Sequence, residues 1–436
     1  MKKLYSVITF GALMLGSLTT IQAQCTGGRY HDYIFPSAPT TTSDVVYGSN
    51  LKTNYAGTGT TQTLKLDVYQ PTGDVATNRA LVIIAHGGSF IGGSKTGSDV
   101  VPLCKDLARM GYVTASIEYR TGMTNFPFTS THTLDSTDAG AAVMRAVHDG
   151  RAAVRFFRKN AATGGNTYKI DTNNIYFMGV SAGGFIALHL AYMNSLSEFP
   201  SYVDTTGQPG LHGGIEGQSG NPGYSSSVKA IVNVCGALGD TTWMQAGDIP
   251  LLSFHGTADG TVPYGSALIY LSPPSTYPLL EVDGSSSVAA RANNLGITNC
   301  FETWYGQDHV PEVSNAAYYD STITITRNFL EHFTCGVPLN CSYTMTPQVG
   351  INELHAQVDF DIYPNPAQTS VNIDLSGFSG KTVQIEMFDA MGKRVQNIEK
   401  VKDNRTTLSR DGLSNGIYLI SITADGVRSS KMVMFE

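Results

Sequence analysis

The stretch from Asn174 to Leu190, NIYFMGVSAGGFIALHL, constrains the fold more than any other part of this chain. An apolar run typical of a buried strand leads into a glycine-rich turn, and an apolar segment from Phe185 predicts a helix. Ser181 falls at the corner, and the flanking Gly179 and Gly183 permit a tight turn because they have no side chains. The pattern predicts a nucleophile elbow, a sharp turn that presents a serine hydroxyl.

A serine hydroxyl is a weak nucleophile unless a histidine accepts its proton and backbone N–H groups stabilise the oxyanion that forms. The chain has 46 Gly in 436 residues, so a Gly-x-Ser-x-Gly pattern alone can arise by chance. The rest of the chain must therefore supply the histidine, its partner and the N–H donors.

Apolar runs and helical patterns alternate on both sides of the elbow, which predicts a parallel sheet with helices on both faces, an α/β fold. The predicted strands are 62–70, 79–85, 112–119, 175–178, 228–234, 251–254 and 301–305. The predicted helices are 103–110, 138–160, a segment from residue 185, and 323–333. Two insertions rich in glycine and serine, 201–227 and 272–287, are expected to overhang the site.

Residues with the required chemistry follow three other predicted strands. The segment HGGSF (86–90) comes directly after a buried strand, where glycines let backbone N–H groups turn toward a ligand. Asp259 in HGTADGTVP and His309 in QDHVP each lie just past a later strand. Parallel strands end at one edge of a sheet. The chain order Ser181, Asp259, His309 is the order of an α/β-hydrolase triad.

With these four motifs in this order, residues 43–335 resemble an α/β-hydrolase of the carboxylesterase and lipase type. The resemblance implies that Ser181 is the nucleophile and that His309 is the general base and then the general acid. It implies that Asp259 holds the histidine in its useful tautomer. Asp308, beside His309, is expected to point the other way along an extended backbone.

The resemblance also implies an oxyanion hole made by the backbone N–H groups of Ala182 and of Gly88 or Ser89. Ser89 stands where many relatives have a third glycine, which puts bulky or tertiary-alcohol substrates in doubt. No cofactor and no metal ion are expected. The other histidines at strand ends or on helices are expected to brace loops or to pack: His86, His255, His148, His189 and His332.

The first residues resemble a targeting segment. Lys2 and Lys3 precede an apolar run, 7–18, that is too short to span a bilayer, and a small-residue end follows it. Residues 1–23 are therefore predicted to be a signal peptide. A lipoprotein with Cys25 as its lipid-bearing residue is the less favoured alternative.

Six cysteines follow the predicted signal peptide, at positions 25, 104, 235, 300, 335 and 341. In an oxidising compartment they are compatible with up to three disulfides, and their connectivity stays open. Cys335 and Cys341 are close enough for a local loop, but either could pair with Cys25. Cys235, within an apolar run, is the strongest candidate for a free buried thiol.

The last part of the chain has a different pattern. Residues 336–356 lack periodicity and read as a linker after a catalytic domain at 24–335. In 357–436, short alternating runs separated by glycine turns predict a small antiparallel β-sandwich. Its YPNPA opening, NGIYL at 415–419 and the SKMV segment near the end resemble the sorting domain of type IX secretion. A carbohydrate-binding sandwich is the alternative for this tail.

These patterns predict a secreted serine esterase that reaches the medium or the outer cell surface through the periplasm. Its expected partners are an ester substrate and the type IX secretion machinery. The net charge of −7 gives no basic surface for nucleic acid, and no transmembrane segment is expected. A peptidase of the prolyl-oligopeptidase kind and a non-catalytic binding protein on the same fold are the alternatives. The ester itself stays open: short acyl groups, feruloyl or acetyl groups on polysaccharide, lipids and polyesters are all compatible.

Overall fold

The computed structural model describes residues 24–53, 59–122, 136–270, 278–343, 360–389, 393–424 and 427–436. The chain divides into two compact units, Met1–Pro347 and Gln348–Glu436. The predicted signal peptide and residues 344–356 of the predicted linker lie outside the described residues. Among the helices described, none combines the length and the apolar character needed to cross a membrane.

The first unit is built on a large mixed sheet. Its strands are β1 (Thr40–Thr53), β2 (Gly59–Gln70), β3 (Arg79–Ala85), β4 (Val113–Ile117), β5 (Ile170–Val180), β6 (Ala230–Val234), β7 (Ala237–Leu238), β8 (Leu251–Gly256), β9 (Ser266–Tyr270), β10 (Pro278–Gly284) and β11 (Asn299–Trp304). Eight of them form one sheet in the order β1-β2-β4-β3-β5-β6-β8-β11. The pairs from β4 to β11 are parallel, whereas β1 with β2 and β2 with β4 are antiparallel.

Helices cover both faces of this sheet: α1 (Val101–Arg109), α2 (Ser136–Thr163), α3 (Ala182–Tyr192), α4 (Ser285–Leu295) and α5 (Ala316–Cys335). Successive residues of β3 point to opposite faces. Leu81 and Ile83 pack in the core with α2, α3 and α4, whereas Val82 and Ile84 pack with α1 and α5. Burial on both faces explains the continuous apolar run, and the predicted α/β fold is confirmed.

The two insertions lie differently from the expectation that both overhang the site. In 201–227, the Gly210 carbonyl oxygen accepts a hydrogen bond from buried Arg120 at 2.8 Å, and Glu216 pairs with Arg155 of α2 at 2.5 Å. This insertion is held against α2 because it supplies acceptors for buried guanidinium groups, which are costly to leave unpaired. In the second insertion, the described residues form β10 and the start of α4, and β7, β10 and β9 make a small antiparallel sheet.

Two disulfides join distant parts of the first unit. Cys25 pairs with Cys335 at the end of α5, and Cys300 pairs with Cys341. The local Cys335–Cys341 loop that the sequence allowed therefore does not form. Cys104 and Cys235 are free and buried, as predicted for Cys235.

The second unit is a β-sandwich, as predicted. Its strands are β12 (Asp361–Tyr363), β13 (Ser370–Asp374), β14 (Val383–Phe388), β15 (Arg394–Val401), β16 (Arg405–Ser409), β17 (Gly416–Ala424) and β18 (Val427–Phe435). They form two antiparallel sheets, β12-β13-β16 and β15-β14-β17-β18. In β14, Val383, Ile385 and Met387 alternate inward and share one hydrophobic core with the facing sheet.

Candidate active site

Ser181 lies at the sharp turn between β5 and α3. Its backbone is in a strained conformation, with φ 54° and ψ −115°. The chain crosses itself so closely here that a Cβ atom at Gly179 would lie 1.9 Å from the Gly183 carbonyl oxygen. A Cβ atom at Gly183 would lie 2.0 Å from the carbonyl oxygen of Ala85. Both positions therefore require glycine, and together they hold Ser181 at the carboxyl edge of the sheet.

The structure brings the three residues of the predicted triad together. The Nε2 atom of His309 lies 2.8 Å from the Ser181 hydroxyl oxygen. Its Nδ1 atom lies 2.7 Å from Oδ2 of Asp259. The residues come from loops after β5, β8 and β11, so 128 residues of sequence separate the serine from the histidine. The arrangement is a continuous line of hydrogen bonds from a hydroxyl, through an imidazole, to a carboxylate.

The side chain of Asp259 is fully buried, and both oxygens of its carboxylate have partners. Oδ1 accepts hydrogen bonds from the backbone N–H groups of Thr261 and Val262, both at 2.8 Å. Oδ2 receives His309 and, at 3.2 Å, Nε2 of His255. Burial raises the pKa of the Asp259 carboxyl, but the hydrogen bonds from His255 and His309 outweigh it and hold that pKa well below its usual range. The side chain is therefore an anion at neutral pH.

Asp308 does not face the imidazole ring. Its Oδ1 atom accepts the backbone N–H groups of Gly260 at 2.9 Å and of His309 at 2.8 Å. These two bonds tie the loop after β8 to the loop after β11. Asp308 thus sets the distance between the two loops, and Asp259 supplies the carboxylate that meets the histidine.

The predicted oxyanion segment lies beside Ser181. Ser89 and Ala182 line the same cavity as Ser181. Gly88 has φ +119°, and a Cβ atom there would lie 2.4 Å from the carbonyl oxygen of Gly92. The turn is anchored at Gly87, whose N–H donates to Asp99 at 2.7 Å. The sequence interpretation had no role for Asp99, because 12 residues separate it from the glycine that it holds.

Two family models match the chain in separate regions. Residues 66–239, which include Ser181 and the oxyanion segment, match BD-FAE, a family of esterase-like α/β-hydrolases. Residues 361–436 match the secretion system C-terminal sorting domain. This chain is an esterase-type hydrolase with a secretion-sorting tail. The tail indicates type IX secretion to the cell surface or outside, which decides against the carbohydrate-binding alternative.

The hydrolase is also similar in shape to solved esterases. Thermogutta terrifontis esterase 2 phosphoramylated by tabun is 20% identical, with a TM-score of 0.47, over 70% of this chain and 98% of that one. A truncated carbohydrate esterase from gut microbiota is 20% identical, with a TM-score of 0.46, over 68% of this chain and 97% of that one. A comparison with curated proteins found none that matches the chain.

A cavity of about 350 Å³ opens next to Ser181 in the hydrolase unit. Phe90 and Phe185 form part of its wall, and they contact each other edge to face with ring centroids 6.0 Å apart. Ile269 of β9 and Leu280 of β10 line it as well, so the small β7-β10-β9 sheet borders the cavity. The sequence interpretation missed the lining that β9 supplies, because an exposed strand with few inward positions has weak periodicity.

The histidines that the sequence analysis assigned to bracing or packing have structural contacts. His148 and His189 are buried, and burial lowers the pKa of each, to about 3 and about 4. His86 stacks on Tyr119, with ring centroids 4.3 Å apart. These contacts agree with the packing and bracing roles expected from the sequence. His255 differs, because it reaches Asp259 as well as bracing its loop.

The described residues include one group of side chains that could offer three metal ligands, Cys235, Asp259 and His309. Two of the three are already bonded to each other. Burial raises the pKa of the Cys235 thiol well above its usual value, so the thiolate that a metal needs is disfavoured. The group is better suited to hydrogen bonding than to metal binding.

Glu312, three residues after His309, is an unusual buried acid. It is 4% exposed, and within the described part of the chain neither of its carboxyl oxygens has a hydrogen-bond partner. Burial, reinforced by the negative charges of Asp99 and Asp259, raises the pKa of this carboxyl from 4.5 to about 8. Glu312 is thus protonated at neutral pH, three residues after the histidine.

Glu312→Gln should change how stability depends on pH. The folded pKa lies above the unfolded one, so protonated Glu312 stabilises the fold fully below pH 4.5, and this contribution is lost as the pH rises toward about 8. We expect the wild-type melting temperature to fall relative to the variant across this window. Melting both proteins at several pH values checks it, with Glu399→Gln, an exposed residue of β15, as the control. Parallel curves for wild type and Glu312→Gln would contradict the assignment.

Proposed function

We propose that this chain is a secreted serine hydrolase of carboxylic esters, an esterase or lipase, in which Ser181, His309 and Asp259 act as a catalytic triad. The observation that carries the proposal is the pair of hydrogen bonds of His309, 2.8 Å to the Ser181 hydroxyl and 2.7 Å to Asp259. A histidine held in this way can accept the serine proton as the hydroxyl attacks.

In the first half of the reaction, the Ser181 oxygen attacks the ester carbonyl and its proton passes to Nε2 of His309. The backbone N–H groups of Ala182 and of Gly88 or Ser89 stabilise the negative oxygen of the tetrahedral intermediate. His309 then gives the proton to the leaving alcohol, and an acyl-enzyme remains. In the second half, His309 activates a water molecule that releases the acid and restores the serine.

Asp259 keeps the Nδ1 proton of His309 on the side away from the serine, so that Nε2 is free to accept. Its buried negative charge also stabilises the imidazolium that forms during both halves of the reaction. The cavity of about 350 Å³ beside Ser181 would take the acyl or the alcohol part of the ester. Its apolar walls suit a hydrocarbon group better than a charged one.

We propose the division of the chain into domains that the sequence predicts. Residues 1–23 would direct export and be removed, 24–335 would form the catalytic domain, and 336–356 would link it to the tail at 357–436. Part of this linker, 336–343, is described, and Leu339 and Tyr343 pack against the core of the hydrolase unit. We therefore assign residues 336–343 to the hydrolase unit rather than to the linker.

A substrate panel tests the proposed activity. Purified protein should hydrolyse p-nitrophenyl esters and should show measurable release from at least one of feruloyl, acetyl-xylan, lipid or polyester substrates. Peptide substrates at matched concentrations should be cleaved more slowly than esters, since the proposal is for an esterase. Faster peptide cleavage would favour the peptidase alternative, and no turnover of any substrate would favour a binding protein on a hydrolase fold.

A further inference from the structure

A second histidine, His255, contacts the Asp259 carboxylate. Nε2 of His255 lies 3.2 Å from Oδ2 of Asp259 and 3.1 Å from the carbonyl oxygen of Val262. Both of these atoms only accept hydrogen bonds at neutral pH, so Nε2 of His255 carries a proton and donates. His255 comes from the end of β8 and its side chain is fully buried. Oδ2 of Asp259 therefore lies against two imidazoles: His309 hydrogen-bonds to it, and the Nε2–H of His255, which donates to Val262, is in ion-pair contact with it.

The other side of the His255 ring is held by a buried chain of polar groups. Nδ1 lies 2.7 Å from the Ser285 hydroxyl oxygen at the start of α4. That oxygen receives the side-chain N–H of Asn233 at 3.0 Å, and Asn233 in turn accepts the N–H of Gly236 at 2.9 Å. Because Asn233 supplies a hydrogen to the Ser285 oxygen, the hydroxyl is left to donate to Nδ1 of His255. The longer contact from Ser285 to the carbonyl oxygen of Gly236, 3.3 Å, competes for that hydrogen.

Two lines of hydrogen-bond donors approach Asp259 from opposite sides. The side-chain amide of Asn233 donates to Ser285, Ser285 donates to His255, and His255 donates to the carbonyl oxygen of Val262, with Oδ2 of Asp259 3.2 Å from the same nitrogen. From the other end, the hydroxyl of Ser181 donates to His309, which donates to Asp259. Asn233, Ser285 and His255 are all fully buried. A buried polar chain with every member satisfied orients its members strongly.

We propose that His255 is a positioning residue for the reaction: fixed by Ser285 and Asn233, it shares its Nε2–H between the carbonyl oxygen of Val262 and Oδ2 of Asp259 and keeps that carboxylate aligned with His309. The inference rests on the proposed function of the triad. Without this donor, Oδ2 of Asp259 would have His309 as its one remaining side-chain partner, and the carboxylate could tilt about Oδ1, which the backbone N–H groups of Thr261 and Val262 still hold. His309 would then spend less time in the tautomer and orientation that accept the serine proton.

Two substitutions of His255 separate this role from space filling. An asparagine amide stands as many bonds from Cα as Nδ1 of histidine, so His255→Asn can meet Ser285 but leaves Asp259 without the donor. A glutamine amide stands as many bonds away as Nε2, so His255→Gln can restore the N–H donor to Asp259. Both variants lose the ring, and they differ in which end of the hydrogen-bond chain they break.

We expect His255→Asn to lower kcat by about 10- to 100-fold, the range for a small misplacement of catalytic groups, with KM unchanged. His255→Gln should recover most of that loss. With one donor gone, Asp259 presents a less compensated negative charge to His309, which favours the imidazolium. The acid limb of the kcat/KM profile of His255→Asn should therefore move to higher pH. The other titratable groups that act on Asp259, namely Cys235, Asp308 and Glu312, are unchanged in both variants.

His148→Asn is the matched control, because His148 is also a fully buried histidine but bonds to the carbonyl oxygen of Gly214, away from Asp259. It should lower the melting temperature and leave kcat and the pH profile as in wild type. Should His255→Asn fail to fold, Ser285→Ala provides the second test. It removes the donor to Nδ1 and keeps the ring, so we expect a smaller fall in kcat and a shift of the acid limb in the same direction.

Three results would overturn the inference. His255→Asn could keep the wild-type kcat and pH profile, or His255→Asn and His255→Gln could lose activity equally and in proportion to their loss of stability. Where only Ser285→Ala can be measured, a wild-type pH profile would count in the same way. Ser181→Ala is measured in parallel. If this variant still turns over substrate, the proposed function itself is contradicted. If Ser181→Ala is inactive and His255→Asn is fully active, only the positioning role of His255 is contradicted.

Discussion

Ser181→Ala is expected to lower ester turnover by on the order of 10⁵-fold, because the attacking oxygen is lost and no other group can take its place in the line to His309. The oxyanion donors and the cavity remain, so a small residual rate above water is expected. The fold should be unchanged, since alanine meets the same backbone strain at φ 54° that serine already meets. Single-turnover and steady-state rates on a p-nitrophenyl ester, with circular dichroism and melting curves, check both parts.

Ser116→Ala serves as the control for that loss. Ser116 is a buried serine of β4 whose hydroxyl donates to the carbonyl oxygen of Lys95 at 2.7 Å. Removing it should cost some stability and no turnover. Substantial activity in Ser181→Ala, with Ser116→Ala unaffected, would show that another nucleophile does the chemistry.

Removal of the sorting tail should abolish export and spare catalysis. Each unit has its own hydrophobic core, so a chain that ends after Pro347 is expected to fold and to keep the ester turnover of the full chain. In the native host the same truncation should leave the enzyme in the periplasm, because the tail carries the sorting signal. Activity assays on the medium and on periplasmic extract measure the two effects separately. A truncated enzyme that is inactive, or one that reaches the medium at normal levels, contradicts the prediction.

The residue at which the chain is truncated affects the interpretation of this experiment. From the sequence, a truncation at about residue 340 looks equivalent, because that region has no periodicity. The structure shows that such a cut removes Cys341, the disulfide partner of Cys300 on β11. A disulfide of this kind contributes roughly 2–4 kcal/mol, so the shorter chain should melt earlier than the chain that ends after Pro347. The comparison of the two truncations separates loss of the tail from loss of the disulfide.

Much of the fold could be predicted because its strands are buried on both faces. The run at 79–85 has no polar residue after Arg79, and the structure assigns β3 to the same residues. The helix expected at 138–160 is α2, Ser136–Thr163. Strand β1 was missed because its residues, TTTSDVVYGSNLKT, are mostly polar, and the edge of a sheet needs no apolar alternation. Its pairing with β2 comes from backbone hydrogen bonds, which leave little trace in side-chain types.

The candidate site, too, could be predicted from the sequence only in part. Ser181, Asp259 and His309 could be found because each lies directly after an apolar strand, within a short motif of glycines and turn residues. His255 could not be assigned beyond a bracing role, although it stands four residues before Asp259 in the same motif. Its contact with Ser285 crosses 30 residues of sequence, and no local pattern connects the two.

The sequence by itself determined the class of fold and the order of the strands that carry the reactive groups, and it predicted three triad residues that the structure brings within hydrogen-bond distance. It could do so because burial and turn geometry restrict residue types locally. Only the tertiary structure decided which cysteines pair, which insertion borders the cavity, and which polar groups surround Asp259. These depend on contacts between residues far apart in the chain, where the distance in space is independent of the distance in sequence. Cys25 and Cys335, separated by 310 residues and joined by one bond, are the plainest case.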